Sequence, residues 1–153
     1  MSERTILILG GTAEAAKLAT LLQAPRRRVI SSLAGRTLAP GKIEGDVRIG
    51  GFGGARGLAN YLAEEKIRLL IDATHPFATQ ISDNAIIAAA KTDTPFVRLE
   101  RPPWQAIPGD KWILVGSLQQ AAEAIPLQSR VLLALGKQHI AAFTANNNVH
   151  FVL

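Results

Sequence analysis

Thr5-Ile6-Leu7-Ile8-Leu9-Gly10-Gly11-Thr12-Ala13-Glu14 is the stretch that decides the fold: a short apolar strand runs into two glycines, and a helix-forming segment follows. An apolar run of this length, ended by glycines, reads as a buried strand leading through a tight turn into a helix. The turn sets backbone amides at the carboxyl end of the strand. There the opening of a helix supplies unpaired N–H donors and a favourable dipole, a ready place for an anionic cofactor.

Outward from this unit, apolar runs recur with helical stretches between them, the pattern of an α/β fold whose parallel sheet carries helices on both faces. Strands are expected over Thr5–Leu9, Arg28–Ser32, Asp46–Ile49, Leu69–Asp72, Pro95–Leu99, Trp112–Gly116, Arg130–Ala134 and Val149–Leu153. Helices are expected over Ala13–Gln23, Ala55–Glu65, Ala78–Lys91, Ser117–Ala124 and Lys137–Ala145, with Thr12 and Ser117 as N-caps and Pro25 and Pro95 beyond helix ends. Between Glu100 and Asp110 three prolines fall in eleven residues without apolar periodicity. The chain therefore divides into a first half over 1–102, a crossing segment over 103–111 and a further β-α-β-α-β stretch over 112–153. That last stretch ends on the apolar run Phe151-Val152-Leu153, so an incomplete second half is expected.

With 153 residues, 48% of them apolar, the chain is long enough to bury a substantial core. It has no run near the roughly 18 to 20 apolar residues of a membrane span. Met1-Ser2-Glu3-Arg4 leads straight into the first strand without the pattern of a secretory leader, so a cytoplasmic protein with no membrane partner is expected. The absence of cysteine excludes disulfides, thiolate metal sites and cysteine nucleophiles, and His75, His139 and His150 form no spaced metal motif. No metal is expected. Seventeen Lys and Arg against twelve Asp and Glu give a net charge of +5, which suits an anionic partner. Only Arg26-Arg27-Arg28 forms a basic run, and with one Tyr the chain lacks the basic-aromatic surface that stacks on bases, so nucleic acid is not the expected partner. The pattern does not define an oligomeric state, and a monomer is the working expectation.

Four loops at strand ends carry the candidate chemistry. Gly10-Gly11-Thr12-Ala13-Glu14 departs from Gly-x-Gly-x-x-Gly but keeps its context of strand, turn and helix, so Gly11, Thr12 and Ala13 are expected to hold a pyrophosphate through amides or hydroxyl. About 20 residues further on, where a NAD site carries an acid, Ser31-Ser32-Leu33-Ala34-Gly35-Arg36 offers hydroxyls and a guanidinium. Ser32 and Arg36 would receive a 2′-phosphate, which favours NADPH. Gly50-Gly51-Phe52-Gly53-Gly54 surrounds one phenylalanine with glycines, as close backbone approach requires, and Gly51 to Gly54 are expected near the inner ribose. Asp72-Ala73-Thr74-His75-Pro76-Phe77-Ala78 brings polar groups to the same edge, and His75 can contact a carboxylate or the nicotinamide end. Arg98, Arg101 and Lys137 would add a basic wall for a polyanionic, partly apolar substrate, if their strand ends meet that crevice.

Taken together, Gly10-Gly11-Thr12-x-Glu14, Ser32-Leu33-Ala34-Gly35-Arg36, Gly50-Gly51-Phe52-Gly53-Gly54, Asp72-Ala73-Thr74-His75-Pro76-Phe77-Ala78 and Arg98-Leu99-Glu100-Arg101-Pro102 resemble the precorrin-6A reductase family, with Leu135-Gly136-Lys137 extending the likeness. The resemblance implies a Rossmann-like parallel sheet followed by part of a second Rossmann-like half. It implies an NADPH-dependent oxidoreductase of cobalamin biosynthesis that reduces one carbon–carbon double bond of precorrin-6A, a carboxylated tetrapyrrole, to precorrin-6B. Under it the cofactor set is Gly10, Gly11, Thr12, Ala13, Glu14, Ser32, Leu33, Gly35, Arg36, Gly51, Phe52, Gly53, Gly54 and Thr74. The substrate set is His75, Pro76, Phe77, Arg98 and Arg101, and Lys137 is the candidate for binding a substrate carboxylate or delivering the proton. Two departures stand out: Ala15-Ala16 occupies a place where family members often carry Gly-Arg, and members are usually longer.

Two rivals frame this reading. A short-chain reductase needs Tyr-x-x-x-Lys, but Tyr61 is followed at that spacing by Glu65. A nucleotide-sensing module would need the same glycine loops and no substrate wall.

Overall fold

The computed structural model describes residues 4–35, 43–102, 104–145 and 148–152, with residues 137 and 138 described by their backbone alone. The chain divides into two compact units, Met1–Pro103 and Trp104–Leu153.

In the first unit a five-stranded sheet, all of its neighbours parallel, runs in the order β3-β2-β1-β4-β5. Its strands are β1 (Arg4–Leu9), β2 (Arg27–Leu33), β3 (Asp46–Ile49), β4 (Ile67–Asp72) and β5 (Phe96–Arg98). The helices are α1 (Ala13–Leu21), α2 (Gly54–Glu64) and α3 (Thr79–Thr92). Alternation along β1 shows why its apolar run is continuous. Ile6 and Ile8 pack with Val29 and Ile71 under Ala15 and Ala19 of α1. Leu7 and Leu9 pack on the other face with Leu58 and Leu62 of α2 and with Ala85, Ala88 and Ala89 of α3. A central strand covered on both sides has no polar face to keep. The alanines of α3 let it lie close against α2, and Asp93, in the left-handed region at φ 51°, ends that helix.

The expected elements of this unit form with small shifts: β3 has the bounds read from sequence, and the other strands and helices move by a few residues at their ends. β2 gains Leu33 and β4 gains Ile67 and Arg68, because these residues still find ladder partners or lead into one.

In the second unit α4 (Leu118–Glu123) is capped as expected, the Ser117 hydroxyl accepting from Gln120 N at 3.1 Å. β6 (Arg130–Leu132) and β7 (His150–Val152) pair in parallel over a small core of Ala122, Leu133 and Phe143. Two expectations fail here. No strand forms over Trp112–Gly116: its apolar side chains are exposed, Leu114 by 88%, and no described strand lies alongside to accept a ladder. An extended run without a partner leaves its backbone groups to water. The helix expected over Lys137–Ala145 is a 3₁₀ helix over Lys137–Phe143, which opens on Gly136 without a side-chain cap and with an i+3 bond from His139 N to Gly136 O at 2.8 Å.

Candidate nucleotide and substrate cleft

Parallel α/β sheets bind ligands beyond the carboxyl ends of their strands, at the point where strand order reverses. That point lies between β1 and β4, whose following loops are held together by one residue. Thr12 Oγ1 accepts from Ala15 N at 3.1 Å, capping α1, and donates to Ala73 O at 2.8 Å. Its hydroxyl is thus engaged twice, so the expected phosphate contact at Thr12 falls to its amide. Gly10 N donates to Ser32 O at 2.9 Å and fixes the turn against β2, while Gly11 takes φ +114° with open space where a side chain would stand. Among the described residues, the amides of Gly11, Thr12, Ala13 and Glu14 have no acceptor. Four unpaired amides at the start of a nine-residue helix fit a pyrophosphate.

Beside this turn opens a cleft of about 220 Å³ between Thr12 and Glu14 on one side and Ala73, Thr74 and Pro76 on another, closed by Leu99 to Pro102. It therefore gathers residues expected for cofactor (Thr12, Glu14, Thr74) and for substrate (Pro76, Arg101). Glu14 and Arg101 pair across it, Oε1 to Nε at 3.2 Å, both side chains substantially exposed. His75 and Phe77 stand outside, exposed and packed against one another at 5.1 Å between ring centres, with Phe77 N donating to His75 Nδ1 at 3.3 Å.

The wall of the cleft is positioned by a residue that the sequence reading left unassigned. Asp72, 1% exposed at the end of β4, accepts at Oδ1 from Thr74 N (3.1 Å) and Thr74 Oγ1 (2.6 Å). At Oδ2 it accepts from Ser82 Oγ (2.5 Å), and Arg98 Nε stands 3.9 Å away. A carboxylate in an otherwise apolar strand end was the available signal, since a buried charge must be paired and hydrogen-bonded. Arg98 is thereby held beside β4, with Glu100 at 3.3 Å on its other side.

At the far side of β1, the glycine-rich segment 50–54 after β3 folds around Arg48. Its guanidinium donates to Ser32 Oγ, Gly50 O and Gly51 O, and lies over the rings of Phe52 and Tyr61. Gly53, at φ 77°, provides the left-handed turn that opens α2. One turn on, Gly57 faces the Phe52 carbonyl with no room for a Cβ. Ser32 and Leu33 are buried at the end of β2, and Gly35 follows them. Arg36 lies outside the described residues, as does the side chain of Lys137, which belongs to the second unit.

A parallel sheet in this order, with a glycine turn after its central strand, defines a Rossmann-like α/β protein. Residues 5–153 match the family model for precorrin-6x reductase CbiJ/CobK, and the chain belongs to that family. A precorrin-6A reductase of Rhodobacter capsulatus is 46% identical over 149 residues, covering 97% of this chain and 59% of that protein. One from Mycobacterium tuberculosis strain H37Rv is 45% identical over 150 residues, with 97% and 59% covered. The solved structure of a CobK precorrin-6A reductase superposes with a TM-score of 0.88 at 46% identity, covering 97% of this chain and 59% of that one. The chain thus spans somewhat under two thirds of the length of these relatives.

Proposed function

We propose that the protein is an NADPH-dependent precorrin-6A reductase of cobalamin biosynthesis, adding two hydrogens across one carbon–carbon double bond of the macrocycle to give precorrin-6B. The observation that carries this reading is the row of unpaired amides from Gly11 to Glu14 beside the cleft, in a chain of this family. Those amides bind the pyrophosphate; Gly10 and Thr12 hold the turn in place. Ser32, Leu33, Gly35 and Arg36 surround the adenosine ribose, where no acid stands to repel a 2′-phosphate. Gly51 to Gly54 follow the inner ribose, and Thr74 faces the nicotinamide end. NADPH supplies the hydride for one carbon of the double bond; the other carbon takes a proton.

His75, Pro76, Phe77, Arg98 and Arg101 receive the substrate, the cations meeting its carboxylates. The Glu14–Arg101 pair is exposed, and such pairs contribute about 0 to 1 kcal/mol, so a substrate carboxylate can take Arg101 over. Lys137 binds a further carboxylate or delivers the proton. The same reading takes residues 112–153 as the start of a second Rossmann-like half, supported by the parallel pairing of β6 and β7, and the enzyme as a cytoplasmic monomer.

Titration with NADPH and NADH, followed by the fluorescence of the reduced nicotinamide and repeated with Arg36→Ala, tests the proposal. Tighter binding of NADPH, weakened about ten-fold or more by the substitution, supports it, and reduction of precorrin-6A by the chain completes it. Binding of neither nucleotide overturns it.

A further inference from the structure

Arg48 stands opposite Ser32 in the β2–β3 register, at the strand end where dinucleotide-binding folds read the adenosine ribose. It is half-buried, and among the described residues no carboxylate pairs with it. A guanidinium carries five N–H donors. Three are engaged: Nη1 donates to Ser32 Oγ at 3.3 Å and Gly50 O at 2.5 Å, and Nη2 to Gly51 O at 2.7 Å. The other two, on Nε and Nη2, have no partner among the described residues. From below, the group is carried by aromatic rings, with Cζ 3.9 Å from the centre of Phe52 and 5.3 Å from that of Tyr61. Those rings pack edge to face at 5.3 Å, so the support is itself fixed. Carbonyl oxygens and ring faces stabilise a cation only in part, and a half-buried guanidinium with donors to spare is completed by an anion.

We infer that Arg48 is a specificity-determining residue: beside the Ser32 hydroxyl, it presents its two unengaged N–H groups to the 2′-phosphate and so selects NADPH over NADH. The inference rests on the NADPH reading above, and it adds Arg48 to Ser32 and Arg36, the residues expected from sequence at the 2′-phosphate. Arg48 is fixed by a strand, two carbonyls and two rings before any ligand arrives. Such pre-organisation lowers the ordering cost of binding.

The test compares the full chain with Arg48→Gln and Arg48→Lys, each titrated with NADPH, NADH and adenosine 2′,5′-bisphosphate, with far-UV circular dichroism melts to verify folding. For Arg48→Gln, NADPH and the bisphosphate weaken together by about ten-fold or more while NADH stays within about two-fold. Arg48→Lys, which keeps the charge and loses the fork, falls between. If the glutamine variant fails to fold, the ratio of NADPH to NADH affinity in the lysine variant decides. Equal loss of both nucleotides, or unchanged NADPH, reduces Arg48 to a brace of the glycine loop and overturns the inference. A wild type that does not prefer NADPH instead overturns the reading on which it rests, so the two failures are distinct.

Discussion

Replacing Asp72 with alanine removes the acceptor of three hydrogen bonds and the counter-charge of Arg98 in one step. Hydrogen bonds to a charged acceptor contribute about 1.5 to 3 kcal/mol each, but several losses are partly recovered. Ser82 Oγ already lies 3.4 Å from Ala78 O and can donate there, and Thr74 is only half-buried, so water reaches its hydroxyl. Removing the carboxylate also removes the cost of holding it away from solvent, several kcal/mol in itself. The net expectation is a loss of about 3 kcal/mol for Asp72→Ala and about 1 kcal/mol for Ser82→Ala. The double variant should fall short of their sum by roughly 1 kcal/mol, because the two share a bond. Urea denaturation followed by far-UV circular dichroism measures this in the unit that holds α1 to α3. Tryptophan fluorescence would not, since Trp104 and Trp112 both lie in the second unit. An Asp72→Ala loss below about 1 kcal/mol, or strict additivity with Ser82→Ala, would refute the account of Asp72 as the organiser of the Thr74 turn.

Other substitutions probe separate features. Ser31→Ala should leave stability unchanged or raise it by up to about 1 kcal/mol in the same denaturation assay, because the Ser31 hydroxyl is buried without a partner among the described residues. Gly57→Ala should destabilise the first unit and weaken NADPH binding by several-fold in a direct titration, since the added Cβ collides with the Phe52 carbonyl and displaces the glycine loop. Burial holds the Tyr61 phenol above its usual value of 10.0, with the charge of Glu65 acting in the same direction. The folded chain therefore keeps that proton after the unfolded chain has lost it, and stability falls as pH rises from about 10 toward the raised value. Tyr61→Phe should flatten this alkaline limb in melts taken between about pH 9 and 11, and an unchanged limb would exclude Tyr61 as its source.

Sequence was most informative where one physical effect dominated. The run Thr5 to Leu9 had to be a central strand because both faces are apolar, and the two helix layers supply the cover it demands. Thr12 and Ser117 were readable as caps because capping depends on a local side chain alone. Trp112 to Gly116 looked like a strand by the same apolar criterion and is not one, since a strand also needs a neighbour, which composition does not supply. At the site, the glycine turn was legible, while Arg48 and Asp72 were not. Their roles arise from register and packing: Arg48 matters because Ser32 is its cross-strand neighbour, and Asp72 because Ser82 returns to it from α3.

The same distinction changes what the net charge of +5 means. Arg98 and Arg101, the two arginines counted toward a basic wall, are answered by carboxylates within the first unit, and so is Arg28. Asp46 and Glu65 bind Arg28 at 2.7 and 2.6 Å and hold its guanidinium further above its ordinary value, the Asp46 hydrogen bond contributing most. Asp72 and Glu100 flank Arg98, and Glu14 takes Arg101. These pairs localise the charges without changing the net +5, and the exposed ones exchange partners at small cost. Arg48 differs because its surroundings are carbonyls, a hydroxyl and two rings, none of which cancels its charge. If the cleft discriminates by charge, the discrimination should fall on the ligand group that meets Arg48, while Arg98 and Arg101 respond to carboxylates that outcompete Asp72, Glu100 and Glu14. Raised salt should then weaken contacts at the exposed pairs first and those at the half-buried guanidinium last.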